Sequence, residues 1–192
     1  MTFIVASHNK RKLQELTRIL EPMGLNVINP DAIEGGIPEP EENGKTFEEN
    51  ALIKARSACE NSGYPAIADD SGLCVDALFG APGVYSARFA GTGNDSDNNA
   101  LLLSKLQGEK NRSAAFVSCI ACVFPDGREF TVRGECKGEI AEHLIGDGGF
   151  GYDPLFLTEW GCFGLMTAEQ KDKVSHRARA IEKFKEQLIE YI

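Results

Sequence analysis

Ala66-Ile67-Ala68-Asp69-Asp70-Ser71-Gly72-Leu73 is the stretch of sequence that decides the fold. Small and apolar residues lead to two adjacent carboxylates, and a hydroxyl and a glycine follow before apolar residues resume. This pattern predicts a short buried strand whose end delivers Asp69 and Asp70 to a turn. Because successive strand residues point to opposite faces, we expect one aspartate to face a cleft and the other to face the interior.

The adjacent aspartates have two interpretations. Their carboxylate oxygens are hard donors that suit a hydrated divalent cation, whereas in a polar turn an aspartate would bond to its own backbone. Residues 31–49 are rich in carboxylates, and the glycines and prolines among them predict a loop. Solvation explains most of these carboxylates, but one of them, folded back toward Asp70, would complete a cation site.

The composition is that of one soluble globular domain, or of two lobes that share a core. The 192 residues are 42% hydrophobic and 26% charged, and no apolar run is long enough to cross a bilayer. Met1–Ala6 lacks the features of a signal peptide, so we expect a cytoplasmic protein. The six cysteines, including Cys119 and Cys122 of a CxxC pattern in a strand-like run, are expected to be reduced and buried.

The charge distribution favours a small anionic ligand. A net charge of −9 argues against a nucleic-acid groove, which usually has a broad basic face. Two compact basic clusters nevertheless exist in this acidic chain, and such clusters suit a small anion better than a polymer. They are Lys10, Arg11 and Lys12, and Lys171, Lys173, His176, Arg177 and Arg179.

The first basic cluster lies where a strand passes directly into a helix. Residues 2–7 are the predicted strand, and Ser7-His8-Asn9 is the turn into a helix from about Lys10 to Met23. A helix N-terminus offers unpaired N–H groups and a positive dipole end to phosphate, and basic residues there need a compensating anion. The alternative is a capped helix with a solvated basic first turn.

Helices and strands alternate along the chain. Thr46 and Glu49 predict a capping box that starts a helix ending near Asn61. Residues 114–124 and 129–137 are predicted strands, joined by a Pro-Asp-Gly-Arg hairpin turn. This order predicts an α/β fold with a mixed, twisted β-sheet flanked by helices.

A glycine-rich segment, residues 146–154, carries two aromatic residues and an aspartate. Its glycines would let the backbone approach a ligand, and Phe150-Gly151-Tyr152-Asp153 would stack on a ring and bind its edge. The alternative is a flexible turn, which would expose both aromatic rings. Arg88 either pairs with a carboxylate or contacts the ligand, and the position of His176 at a basic helix start favours anion contact.

These segments together resemble the inosine/xanthosine triphosphate pyrophosphatases, which remove non-canonical purine nucleotides. The resemblance covers nearly the whole chain, and the order of the motifs is highly specific. The family usually has Thr-Gly-Asn where this chain has Ser7-His8-Asn9. The matching residues are Ser7-His8-Asn9 with Lys12, Glu41 to Gly44, Thr46-Phe47, Glu49-Asn50-Ala51, Lys54-Ala55, Ala68 to Leu73, Ala81 to Arg88, Gly149 to Pro154, and Ser175-His176-Arg177.

The resemblance implies a Mg²⁺-dependent enzyme that hydrolyses ITP, dITP and XTP to the nucleoside monophosphate and pyrophosphate. It implies one domain over residues 1–192, elongated and two-lobed with the active-site cleft between the lobes, and usually a homodimer. Glu41 and Asp70 would hold the metal, and Asp70 would be the proton acceptor. The substrate contacts would come from Ser7, His8, Asn9, Lys10, Arg11, Lys12, Lys54, Ser71, Arg88, Phe150, Gly151, Tyr152, Asp153, Lys171, His176 and Arg177.

Two other functions use the same residues differently. A nucleotide-binding regulatory module would use the basic clusters but would have no use for the metal pair Glu41 and Asp70. A generic Mg²⁺ phosphatase would release orthophosphate instead of pyrophosphate. We expect neither a nucleic-acid polymer nor a membrane as a partner.

Overall fold

The computed structural model describes all residues, 1–192. The strands are β1 (Thr2–Val5), β2 (Asn26–Ile28), β3 (Ala66–Val75), β4 (Ser113–Val123), β5 (Glu129–Ile140), β6 (Phe156–Thr158) and β7 (Gly161–Cys162). The α-helices are α1 (Lys10–Leu20), α2 (Phe47–Ser62), α3 (Asp95–Lys105), α4 (Ala168–Val174) and α5 (His176–Leu188). Each helix is too short or too polar to serve as a membrane span.

All seven strands belong to one sheet in the order β2-β1-β3-β4-β5-β6-β7. β1 pairs in parallel with β2 and with β3, so that Ile4 lies opposite both Ile28 and Ala66. The pairs β5–β6 and β6–β7 are antiparallel. The sheet is therefore mixed, and together with the helices it confirms the predicted α/β class.

By internal packing the chain divides into two compact units. The first unit consists of Met1–Asp70, Ser118–Gly134 and Arg177–Ile192, and the second of Ser71–Val117 and Glu135–His176. The first unit has two apolar cores and the second has one, and each core consists only of residues from its own unit.

The cores of the first unit follow from strand alternation in β1. Phe3 and Val5 pack into a core that contains residues of α1 and α5, whereas Ile4 packs into a second core with the alanines of α2. Ala51, Ala55 and Ala58, which their spacing puts on one face of α2, are fully buried there. A strand covered on both faces in this way is typical of parallel β structure.

Threonine side chains cap the starts of α2 and α4. Thr46 Oγ1 accepts the Glu49 N–H at the start of α2, and Thr167 forms a complete capping box with Gln170 at the start of α4. The box predicted at Thr46 is only half formed, because Glu49 Oε2 accepts the Lys45 N–H at 2.6 Å. The second bond therefore joins the helix to the residue before its cap.

The strand that carries the paired aspartates is longer than predicted. β3 continues through Ser71 to Val75, so the predicted turn after Asp70 is wrong. The strand continues because Leu73 and Val75 are fully buried in the core of the second unit. Asp69 and Asp70 therefore lie within the strand and on opposite faces of it.

Candidate active site

Asp69 lies at the centre of a buried charge network in the first unit. Its Oδ2 is 3.0 Å from Arg177 Nη2 and 3.2 Å from Lys12 Nζ, and Ser118 Oγ donates to its Oδ1 at 2.5 Å. Arg177 also pairs with Glu15 on α1. Burial opposes ionisation of Asp69, but Arg177 and Lys12 outweigh it and hold the pKa of this carboxyl well below its ordinary value. Asp69 is therefore a buried anion that holds two cations.

Asp70, the next residue, has a different partner. Its Oδ1 is 2.8 Å from Lys54 Nζ, and the same ammonium is 3.2 Å from Glu42 Oε2. Burial raises the pKa of Asp70 against the opposing effect of Lys54, and Glu42 adds to the rise. Burial alone would lower the pKa of Lys54, but Asp70 and Glu42 outweigh it and raise that pKa. Burial therefore accounts for the raised pKa of Asp70, and the two carboxylates account for the raised pKa of Lys54.

One oxygen of Asp70 fits a metal ligand. Asp70 Oδ2 is buried and has no hydrogen-bond partner, which is costly for a carboxylate oxygen unless a donor or a cation meets it. Carboxylate oxygens are the ligands that Mg²⁺ prefers. Of the neighbouring acidic residues, Glu42 is the one that the structure brings to Lys54, while Glu41, the second predicted ligand, is exposed. One buried carboxylate oxygen is therefore available to a divalent cation, but the structure contains no group of three or more His, Cys, Asp or Glu side chains that could hold one.

The start of α1 is a capped helix whose third residue turns inward. Asn9 Oδ1 accepts from Arg11 N at 3.0 Å and from Lys12 N at 3.2 Å, so it occupies two of the N–H groups predicted to bind phosphate. Lys10 and Arg11 are exposed, whereas Lys12 is half-buried and reaches Asp69. Burial lowers the pKa of Lys12, and Asp69 opposes that effect.

His8, one of the predicted substrate contacts, contacts the carboxylate-rich loop within residues 31–49. Its Nε2 is 3.1 Å from the Ile37 carbonyl oxygen, and its Nδ1 is 4.0 Å from Glu39 Oε1. Ser7 Oγ lies 3.5 Å from the Asn9 carbonyl oxygen, at the limit of a hydrogen bond. The imidazole therefore links the turn before α1 to the loop that follows β2.

In the second unit, Lys171 and Asp153 hold the loop formed by residues 149–153. Asp153 Oδ2 is 2.7 Å from Lys171 Nζ and accepts from Phe150 N at 2.9 Å. Lys171 Nζ also lies 4.6 Å from the centre of the Phe150 ring, a cation–π distance. Gly149 has φ +72°, and a Cβ at this position would lie 2.1 Å from Asp153 Oδ2. The structure therefore brings together three of the predicted contacts, Phe150, Asp153 and Lys171.

Tyr152, the second aromatic residue of this loop, belongs to the core of the second unit. It is 4% exposed, and its hydroxyl donates to the Ser86 carbonyl oxygen at 2.7 Å. Burial raises the pKa of this hydroxyl, with a further contribution from Asp95, so it remains a donor. Of the two rings predicted to stack on a base, Phe150 has the more exposed surface.

The remaining predicted contacts have varied surroundings. Ser71 is half-buried within β3. Arg88 is exposed, and its guanidinium lies 5.3 Å from the centre of the Tyr85 ring. His176 is buried, and its ring stacks on Phe116 with the ring centres 4.8 Å apart.

Sequence reasoning missed several polar residues of these clusters. Glu15 lies one helical turn from Lys12 on the buried side of α1, and Ser118 interrupts an apolar strand. A polar residue within an apolar pattern was the available signal in both cases. Asp95 and Asn99, which bond to Gly151, had no comparable signal because a polar helix start is common.

The fold and the charged side chains around Asp69, Asp70 and Asp153 indicate the class of protein. The fold is mixed α/β, and lysines paired with buried carboxylates in both units supply the positive charge that a small anionic ligand requires.

Comparison with known proteins makes the assignment specific. The sequence profile of the Ham1 family matches residues 3–187. A dITP/XTP pyrophosphatase from an Exiguobacterium species is 46% identical to this chain, over 100% of the chain and 99% of the relative. Solved structures of Ham1 proteins from Coxiella burnetii and Staphylococcus aureus are 36% and 37% identical, each with a TM-score of 0.89; the first match covers 99% of both chains and the second 100% of both. The chain belongs to the Ham1 family.

Proposed function

We propose that this protein hydrolyses non-canonical purine nucleoside triphosphates such as ITP, dITP and XTP to the nucleoside monophosphate and pyrophosphate. The relatives named dITP/XTP pyrophosphatase support this substrate class. The observation that carries the chemistry is the Asp70 carboxylate, with one oxygen on Lys54 and the other buried without a partner. A carboxylate held in this way is suited to orient water and to accept its proton.

Charge neutralisation is the main requirement of the reaction, because a nucleoside triphosphate carries several negative charges. Lys54 and Lys12 supply positive charge in the first unit. Asp69 holds Lys12 by an ion pair, so the position of this ammonium is fixed before a ligand arrives. We assign to Lys12 the stabilisation of the leaving pyrophosphate.

Asp70 acts as the general base in this proposal. Its carboxylate accepts a proton from water as the water oxygen bonds to the α-phosphorus and the bond to the pyrophosphate oxygen breaks. The raised pKa of Asp70, caused mainly by burial, brings this base closer to neutral pH than an exposed aspartate would be.

The proposal includes Mg²⁺ as the cofactor, held by Asp70 and Glu41. When bound, the ion neutralises phosphate charge as a Lewis acid. The orphaned Asp70 oxygen supports this assignment. Loss of activity in chelator, and its return on addition of Mg²⁺, is the expected result.

Base recognition is assigned to residues of the second unit. Phe150 stacks on the purine, and the Tyr152 ring, which is 4% exposed, contributes only where the ligand reaches it. Asp153 and Lys171 hold the loop formed by residues 149–153 in place. His176 and main-chain donors read the 6-oxo group. Arg177, another predicted substrate contact, has its side chain on Glu15 and Asp69, so we assign it to holding Asp69. An adenine amino group would place a donor where an acceptor is required, which leaves polar groups unpaired.

The assembly and location are also part of the proposal. The six cysteines are free, which supports a reducing compartment such as the cytoplasm. The resemblance supports a homodimer built from a single two-lobed domain over residues 1–192. Light scattering of the purified protein tests the dimer, and a monomer over the working concentration range would contradict it.

Product analysis with ITP tests the reaction. We expect IMP and pyrophosphate in equal amounts with Mg²⁺, none with chelator, and much slower turnover of ATP and GTP. Orthophosphate as the product would indicate a generic phosphatase, and binding without turnover would indicate a regulatory module. Equal rates with ITP, ATP and GTP would contradict the base selectivity.

A further inference from the structure

Helix α3 forms hydrogen bonds to both backbone polar groups of Gly151, which belongs to the loop formed by residues 149–153. Asp95 and Asn99 are four residues apart and therefore lie on one face of the helix. Asp95 Oδ2 accepts the Gly151 N–H at 2.9 Å, and Asn99 Nδ2 donates to the Gly151 carbonyl oxygen at 2.9 Å. These residues lie 56 and 52 positions from Gly151 in the sequence, so the contact is built by the fold of the second unit.

These two hydrogen bonds hold the residue that lies between two aromatic side chains. Gly151 lies between Phe150 and Tyr152 and has φ +60°, in the left-handed region that glycine adopts without strain. Fixing both its N–H and its carbonyl fixes the peptide planes on either side. The orientation of the Phe150 ring therefore depends on Asp95 and Asn99 as well as on Asp153.

Neighbouring residues of α3 have other partners. Asn98, between the two in sequence, accepts from Ala90 N at 2.8 Å and donates to the Ala87 carbonyl oxygen at 3.1 Å. Asp97, also an acid of the first turn, accepts from Thr92 Oγ1 at 2.7 Å. The contact with Gly151 thus belongs specifically to Asp95 and Asn99, and Asp97 offers a matched control.

The two residues differ in how firmly they hold. Asn99 is 5% exposed, so loss of its amide leaves the Gly151 carbonyl without this donor in a region of low water access. Asp95 is exposed, and water replaces it more easily. We expect the larger effect from Asn99.

We propose that Asp95 and Asn99 are positioning residues that set the base selectivity of the loop at residues 149–153. The proposal rests on the proposed function, since it names the support of the base-recognising loop in that reaction. Small displacements of a recognition group reduce turnover of the correct substrate most, because only that substrate uses the exact placement. A more mobile loop therefore reduces the difference in kcat/KM between ITP and ATP.

The test compares Asn99→Ala, Asp95→Ala and Asp95→Asn with Asp97→Ala in the full-length protein with Mg²⁺. We expect kcat/KM for ITP, divided by that for ATP, to fall about tenfold in Asn99→Ala and by a smaller factor in Asp95→Ala. Asp95→Asn keeps an acceptor oxygen and restores the ratio. Asp97→Ala, which removes the same charge from the helix start, leaves the ratio unchanged.

Hydrogen exchange without substrate gives a readout that does not depend on activity. Faster exchange of the Gly151 amide in Asn99→Ala and Asp95→Ala, and wild-type exchange in Asp97→Ala, would support the proposal. If Asn99→Ala fails to fold, the Asp95 pair of variants decides the result. If the wild type prefers ITP to ATP and the folded variants have the same ratio of kcat/KM values, the positioning role is wrong and the proposed function stands. A wild type that releases no pyrophosphate from ITP overturns the proposed function, and the selectivity role with it.

Discussion

The surroundings of Asp69 and Asp70 in the first unit contrast with those of Gly151 in the second. In the first unit, full charges meet inside the protein: Asp69 holds Lys12 and Arg177, and Asp70 holds Lys54. Around Gly151, by contrast, side chains of α3 bond to backbone groups. The first region is held by buried ion pairs, and the second mainly by directional hydrogen bonds from side chains to the backbone.

The difference predicts how each region tolerates change. Removing one member of a buried ion pair leaves its partner uncompensated, which costs several kcal/mol. Removing one hydrogen bond to a backbone group costs about 1 kcal/mol. Substitutions near Asp69 and Asp70 should therefore abolish turnover or weaken the fold, whereas those around Gly151 should produce graded losses of selectivity.

Replacement of the general base should have the largest effect on turnover. Asp70→Asn keeps the shape but removes the proton acceptor, so we expect kcat with ITP to fall by about 10²–10⁴-fold. The fold should survive, as judged by urea unfolding. Asp31→Asn, an exposed change in the same unit, is the control. Near-full activity of Asp70→Asn would mean that the charged region does not carry the chemistry.

Asp69→Asn should affect stability more than any change around Gly151. It leaves Arg177 and Lys12 without their shared anion, and breaking a buried pair costs about 3–5 kcal/mol. Urea unfolding at neutral pH measures the loss. Asp126→Asn removes an exposed ion pair with Arg128 and should leave stability unchanged. Similar losses in the two variants would contradict the contrast between buried and exposed charges.

The stability that Asp69→Asn loses relative to the wild type should depend on pH. Burial opposes ionisation of Asp69, but Arg177 and Lys12 hold its folded-state pKa well below its ordinary value. The stability from the ionised form is therefore fully present above the unfolded pKa of about 3.9 and is lost as the pH falls through the folded pKa. The gap between wild type and Asp69→Asn should narrow below about pH 3.9. A gap that widens in acid would refute this electrostatic account.

Local patterns in the sequence account for much of the fold. Asn9, Thr46 and Thr167 cap helices, and the apolar alternation of β1 places Phe3 and Ile4 in different cores. These features depend on residues close together in the chain. The end of β3 does not, because Leu73 and Val75 continue the strand by packing into the core of the second unit, which includes side chains far away in sequence.

The candidate site was predictable in residue type more than in pairing. Asp70 and Lys54, both predicted site residues, form an ion pair, and Glu42, which was not predicted, pairs with the same ammonium. Arg177 finds Glu15 across 162 positions of the chain. Sequence spacing does not specify such contacts, because they depend on how distant elements pack.

Removal of the stacking ring should have an intermediate effect. Phe150→Ala removes an aromatic face, and stacking of a base on such a ring contributes about 1–3 kcal/mol. We expect kcat/KM for ITP to fall by the corresponding factor of about 5–150, mainly through KM. Phe79→Ala removes a fully exposed ring from the same unit and is the control. If kcat falls instead with KM unchanged, Phe150 does not bind the base in the ground state.

The smallest effect is expected from the buried hydroxyl that anchors the loop. Tyr152→Phe keeps the ring in the core but removes the donor to the Ser86 carbonyl oxygen, which should lower the free energy of unfolding by about 1 kcal/mol. Because the Asp95 and Asn99 contacts with Gly151 remain, the ITP:ATP ratio should change less than in Asn99→Ala. Tyr85→Phe, at an exposed ring of the same unit, controls for loss of a hydroxyl. A larger change in selectivity for Tyr152→Phe than for Asn99→Ala would show that the core, and not α3, directs the loop.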